Sequence, residues 1–475
     1  MILTVSVAFL AFADQTVPPE VTVYNQGFGF IKEVRTLHLN SGVQRVAIEN
    51  VPEQIDPTSV GVKSLDGPNS FSLLEQNYQY DLISPAAIIN KSVGQKVRLI
   101  RDLGDRKDVL TGTLLNVPIS IVADPNGGSS EFYEGMVIKA DDGRIVLDPQ
   151  GEVEVETVPP DLIARPTLFW DLDSSTAGVK RCELSYITQG MQWTANYVLN
   201  LSNLSRADLH GWVTIDNQSG GEFKDAKLKL LAGEVHRAVD SIDFVDYDPR
   251  DTSLAINTPA PPAFKEQSLF EYHIYTLQRP STLKNKETKQ ISLMEGHEVP
   301  YTKKIIVDST SEYGYYRPAE GEVGTGPVQA MVHILFTNDK QSHLGMPLPQ
   351  GRIRIYSRDS DGSAQFLGED YISHTPRNET INLLVGKSFD IAGSRKRLSF
   401  KKIDSTHTRE RFDIEIRNRK QTSQKVYLLE RHWDDWKVSG AGDPFTKEDS
   451  NTIQFVLNLK PNEVRKVTYN LDTHW

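Results

Sequence analysis

The sequence predicts an all-β protein made of several β-sandwich or barrel-like domains, with an immunoglobulin-like sandwich at the C-terminus. Three observations predict it. Apolar and polar residues alternate with a period of two through many short runs. Gly, Asn, Asp and Pro bound those runs, as turns require. Sustained helical periodicity is nearly absent. In Lys227-Leu228-Lys229-Leu230 the leucines face one way and the lysines the other, the pattern of a half-buried antiparallel strand. Arg352-Ile353-Arg354-Ile355 and the run from Arg411 to Arg417 repeat it.

In chain order, residues 1–13 form an apolar candidate signal peptide, and residues 20–78 a strand meander. Gly27 and Gly29 supply a turn or bulge early in that meander. Residues 80–165 read as a small barrel-like insertion. It opens on the one short helix expected, Ser84-Pro85-Ala86-Ala87-Ile88-Ile89, with Ser84 as cap and Pro85 at the first helical position. Residues 166–325 form a central β domain, where Trp193, Tyr197 and Leu199 share one strand face and are expected in its core. Cys182 shares a face with Leu184 and Tyr186 and reads as a buried strand residue rather than a nucleophile. Residues 326–475 alternate regularly, with turn signals at Asp359-Ser360-Asp361-Gly362 and Lys460-Pro461-Asn462, and give the terminal sandwich. No short internal repeat stands out in the residues themselves.

A chain of 475 residues with 38% hydrophobic and 24% charged residues has the composition of folded domains rather than of a disordered segment. Its net charge of −11 gives no general attraction for phosphate backbones, so nucleic acid is not an expected partner. A single cysteine excludes an intramolecular disulfide and a multi-thiolate zinc site within the chain.

The first residues end in Ala11-Phe12-Ala13, the small-x-small pattern that signal peptidase accepts, although no basic n-region precedes the apolar run. The expectation is a periplasmic or secreted protein; the competing reading is a hydrophobic first strand. No later segment is apolar enough to cross a membrane as a helix, which takes about 20 residues.

Catalytic signatures were sought by their mechanics. There is no nucleophile elbow, no HExxH helix and no phosphate loop, and the GxG at Gly27 is followed by strand pattern rather than a dinucleotide helix. Asp359-Ser360-Asp361-Gly362 resembles a calcium loop faintly but lacks its turn glycine at Ala364, so a hairpin turn is the better reading. Asp243, Asp246, Asp248 and Asp251 read as a solvated acidic loop. His297-Glu298 has no second histidine at helical spacing. No metal site and no cofactor are expected. The candidate ligand-binding residues are aromatic: Tyr315 and Tyr316 in a tyrosine-rich loop, and Trp433 and Trp436 in His432-Trp433-Asp434-Asp435-Trp436. On a strand, Trp433 and Trp436 would face opposite sides. Tryptophan faces stack on sugars, while the plain alternative is a core tryptophan beside a charged turn.

Tyr186, Trp193-Thr194-Ala195-Asn196-Tyr197, Gly211-Trp212-Val213-Thr214-Ile215-Asp216-Asn217, Ser219-Gly220 and Ala232-Gly233-Glu234-Val235 together resemble a bacterial domain of unknown function found in mucoidy-inhibitor-A-like proteins. Gly345-Met346-Pro347-Leu348-Pro349-Gln350-Gly351 and Trp433 resemble its C-terminal part, and residues 21–62 the family's N-terminal strand region. Many relatives carry a long coiled coil where this chain has the barrel-like insertion. The family name implies a link to exopolysaccharide production, and the resemblance supplies no catalytic residues.

The reading of the whole is an exported envelope protein, more a non-enzymatic binding or scaffold protein than an enzyme, whose partner is a protein or polysaccharide of the cell envelope. The alternatives are a carbohydrate-binding module array and a hydrolase whose site is assembled from distant residues.

Overall fold

In a computed structural model the described residues are 11–15, 17–102, 107–123, 129–202, 205–237, 263–310, 320 and 324–475. Among them are thirty-three strands and one α-helix, and the fold is all-β. The helix is Pro85–Lys91, and the Ser84 hydroxyl accepts from the Ala87 N–H, as the capping signal predicts. The chain divides into two compact units: residues 1–193, 215–258 and 274–289, and residues 194–214, 259–273 and 290–475.

The first unit is built on a long sheet. In part of its order the strands run Phe223–Ala232, Glu20–Tyr24, Phe28–Leu39, Ala11–Gln15, Gly42–Glu49, Thr167–Ser174 and Phe71–Gln79. Gly178–Gln189 also pairs with Phe28–Leu39 over its whole length. Alternation sets the inside: Cys182, Leu184 and Tyr186 are buried, as are Leu228 and Leu230. Gly29 is needed for packing, since a Cβ there would lie 2.6 Å from the Met191 Sδ. Trp193 is buried; its indole N–H donates to the Leu231 carbonyl at 3.1 Å, and its ring meets Tyr275 edge-on.

Within this unit, five short strands form a separate sheet in the order Ile145–Leu147, Val137–Ala140, Lys107–Leu114, Lys96–Asp102 and Glu152–Val155. Its small core joins Val97, Leu99, Leu114 and Ile138 to Ile89 of the helix. The hairpin of Ile119–Ala123 and Ser129–Tyr133 stands as a two-stranded sheet of its own.

In the second unit, Tyr197 and Leu199 are buried on one face, and the Tyr197 hydroxyl donates to the Pro349 carbonyl at 2.8 Å. Gly351–Arg358 and Ala364–Ile372 form a hairpin closed by the turn at Asp359 to Gly362, where Gly362 has φ +88°. The Asp359 carboxylate caps that turn by accepting from the Asp361 and Ser363 N–H groups, so the calcium-like motif is a turn. The C-terminal sandwich is one hydrogen-bonded path of nine strands: Asp435–Ser439, Val464–His474, His407–Asn418, Thr380–Lys402, Gly326–Thr337, Thr302–Asp308, Gln424–Arg431, Thr452–Leu459 and Phe445–Lys447. Residues from both ends of this path, including Phe412, Val426, Phe455 and Tyr469, meet in one core.

A repeated device ends three long strands. Asn217, Asn338 and Asn418 each follow two inward apolar residues in alternation: Val213 and Ile215, Ile334 and Phe336, Ile414 and Ile416. All three asparagines are buried. Each amide nitrogen reaches backbone carbonyls of two loops: Gly221, Leu283 and Lys284 for Asn217, Thr422, Leu459 and Lys460 for Asn418, and Met346, Thr375 and Pro376 for Asn338. A buried amide placed so ties together the backbone of the loops at the strand's end. This recurrence escapes a sequence search because only one polar residue per copy carries it.

Candidate functional site

The aromatic candidates separate in the structure. Tyr315 and Tyr316 lie outside the described residues, as do the four aspartates of the acidic loop. Trp433 and Trp436 do not share one strand: Asp434 turns the chain with φ +62°, and the strand starts only at Asp435. Strand parity therefore does not run through the cluster, which corrects the expected facing of its residues. Both tryptophans are half-buried. Trp436 packs on the C-terminal core and donates its indole N–H to the Ser450 carbonyl at 3.0 Å. The Lys447 ammonium lies 4.4 Å from its ring centroid, and the His432 ring 5.2 Å away. The ring is thus contacted by a cation and an imidazole of the protein itself.

Trp436 marks the edge of a polar end to the C-terminal core. The inward side chains of His407–Asn418 and Thr380–Lys402 become polar or charged there: Phe412 gives way to Glu410 and Thr408, and Gly393 to Arg395. Arg395 donates through Nε to Glu430 Oε2 at 3.0 Å, and its guanidinium sits 3.7 Å from the Phe412 ring centroid. The Tyr469 hydroxyl donates to the same Glu430 oxygen at 2.5 Å, and the Ser309 hydroxyl donates to the other. Arg395 Nη1 also reaches the Gly324 carbonyl. Ser309 and Gly324 thus join, from either side of residues 311–323, one buried charge network. Beside it Arg397 Nη1 pairs with Glu410 Oε1 at 2.7 Å, both side chains being nearly inaccessible.

Burial dominates the titration of this end. It raises the Glu410 carboxyl, with Arg397 opposing, and lifts the Tyr469 hydroxyl well above its ordinary range. It pushes the His432 imidazole down to about 3, with the Arg395 charge adding to the effect. The His432 Nε2 and the second Glu410 oxygen have no hydrogen-bond partner among the described residues.

The first unit contains the same chemistry. Glu33 and Arg35 point inward from one strand and pair at 3.1 Å, and the Tyr186 hydroxyl donates to Glu33 at 3.1 Å. Cys182 lies close by in sequence and is buried; burial raises its thiol to about 12, so it is not a thiolate at neutral pH.

His297 does have a histidine neighbour, although from another strand. His210 lies 5.9 Å from it by ring centroids, and Glu295 approaches both at 3.8 and 4.0 Å. Helical spacing was the wrong test in a sheet, where neighbours come from adjacent strands. Among the described residues no group of three or more His, Cys, Asp or Glu is arranged to hold a metal ion. Among them, too, no helix is long and apolar enough to cross a membrane.

The buried charged networks, with Trp436 at the margin of one, define an all-β protein in which Arg35, Glu33, Arg395, Glu430, Arg397 and Glu410 are paired inside the fold. No family model matches the chain, and comparison with curated proteins finds no match.

Proposed function

We propose that the chain is an exported, non-enzymatic binding or scaffold protein of the bacterial envelope, of the mucoidy-inhibitor-A-like kind, engaging a protein or polysaccharide partner through its β-domains. One observation carries the reading. One buried carboxylate in each unit is closed by an arginine and a tyrosine, Glu33 by Arg35 and Tyr186, and Glu430 by Arg395 and Tyr469, while Glu410 pairs with Arg397. Groups held so stabilise a fold; a catalytic acid or base instead needs an open face within reach of a substrate. The apolar start ending in Ala11-Phe12-Ala13 has the pattern of an export signal, while Ala11–Gln15 also pairs with Phe28–Leu39 and Gly42–Glu49, so cleavage after Ala13 would remove the first part of that strand.

Fractionation of the source cells, with mass spectrometry of the native N-terminus, tests the placement. The proposal expects the chain in the periplasmic or secreted fraction, beginning after Ala13. Recovery from the cytoplasm with Met1 intact would overturn it.

A further inference from the structure

The motif Gly345-Met346-Pro347-Leu348-Pro349-Gln350-Gly351 lies in the longest of the three asparagine-capped loops. In two copies the amide returns to a carbonyl four residues on, Asn217 to Gly221 and Asn418 to Thr422. In the third it returns after eight, Asn338 to Met346. The extra residues wall a cleft of about 310 Å³, lined by Asp339, Lys340, Gln341, Gly345, Arg377 and Asn378. That volume is at the lower bound of small-molecule sites, roughly 300–1,000 Å³.

The walls are held rigidly. Leu348 and Thr375 exchange both backbone hydrogen bonds at 2.9 Å, and Asn338 and the 378–379 segment exchange two more at 2.8 Å. The Asn338 carbonyl oxygen of the side chain accepts from the Gly345 N–H at 3.1 Å. Gly345 has φ +100°, and a Cβ there would lie 3.0 Å from Lys340 Cγ, so glycine alone keeps this wall.

The polar groups inside the walls are of two kinds. Asp339 Oδ1 is held by the Ser342 N–H, and Arg377 Nη2 is held by Glu266 at 2.6 Å. The side chains of Lys340, Gln341 and Asn378 make no hydrogen bond to the described residues. The cleft therefore offers amide donors and acceptors, one ammonium and the remaining guanidinium N–H groups. Glu266 pairs with Arg377, and the lining carries one further carboxylate, Asp339, and one further ammonium, Lys340, so the formal charges of these groups sum to zero. Mixed donors and acceptors at near-zero charge match vicinal hydroxyls, each of which both donates and accepts.

We propose that this cleft binds a saccharide, with Gln341, Asn378 and Lys340 hydrogen-bonding its hydroxyls. The proposal rests on the binding reading above and deepens it. It places the contact away from the tryptophan cluster.

The test is a glycan array probed with the full chain, followed by isothermal titration of the strongest oligosaccharide into wild type, the double variant Gln341→Ala/Asn378→Gly, and Trp436→Ala. Thermal melts of each check folding; both cleft side chains are exposed, and glycine suits the φ of +67° at Asn378, so the melt should stay close to wild type. The expected result is saccharide binding weakened at least about tenfold by the double variant, with Trp436→Ala binding like wild type. Equal binding by wild type and the double variant overturns the cleft while leaving a binding protein. Wild type that binds no glycan, yet captures an envelope protein, overturns the saccharide and leaves the broader reading. A chain that binds neither overturns both.

Discussion

Arg395 and Glu430 form an ion pair of 3.0 Å with side chains 1% and 0% exposed, at the end of a core that is otherwise apolar. Such a pair is costly to bury and more costly to break. Removing one partner leaves an uncompensated charge in a closed site. Arg395→Met or Glu430→Leu alone should destabilise the second unit by about 3–5 kcal/mol, whereas the double substitution should cost much less than their sum. Denaturant melts in a double-mutant cycle check this. Additive losses would mean that the two charges are not coupled.

His432 makes stability depend on acidity. Its pKa falls from 6.5 to about 3 on folding, first through burial and then through Arg395. Below pH 6.5 the unfolded chain takes up a proton that the folded chain refuses. The contribution is therefore fully present above about 6.5 and lost as pH falls toward 3, at up to about 1.4 kcal/mol per pH unit. His432→Phe should remove this part of the acid sensitivity. The check is the difference between wild-type and variant stability from pH 7 to 4, which should narrow or reverse in favour of the variant as pH falls.

The Asn418 amide donates to the carbonyls of Thr422, Leu459 and Lys460, of which Lys460 also accepts from the Glu463 N–H, and its alanine variant removes a buried amide from all three. Asn418→Ala should cost at least about 2 kcal/mol, the order of a buried group left without its partner. Asn418→Asp should be no milder, since it turns a donor into an acceptor facing carbonyls. Urea melts of the two variants decide it, and wild-type midpoints would show the amide to be dispensable.

Trp193 tests the inside of the first unit. It is 2% exposed and bonded to Leu231, so Trp193→Ala should destabilise that unit by about 3–5 kcal/mol. A variant that melts like wild type but loses partner binding would make this face a functional surface.

The strand faces were legible because period two decides them. Phe412, Ile414 and Ile416 are buried as their alternation requires, and so are Trp193, Tyr197 and Leu199. The helix was legible from Ser84 and Pro85. The polar end of the second core was not, although Glu410 has the same parity as Phe412. Alternation treats a charge as the end of a buried face, and the arginine that compensates Glu430 lies 35 residues away in the chain. At the Trp433-to-Trp436 cluster the alternating pattern allows a strand as well as a tryptophan beside a charged turn, because the left-handed turn at Asp434 leaves no mark in such a pattern. The cleft was hidden for a related reason. Its motif is visible in the sequence, but the longer return of the Asn338 loop has meaning only beside Asn217 and Asn418.

The central claim is that this protein binds without turning its partner over. The direct measurement is to incubate the full chain with envelope polysaccharide and envelope protein extracts, following retention on the protein together with the size and reducing ends of what is retained. The account predicts a retained partner of unchanged size with no new ends. Progressive shortening of the retained polymer or protein, or retention of nothing from either extract, would contradict it.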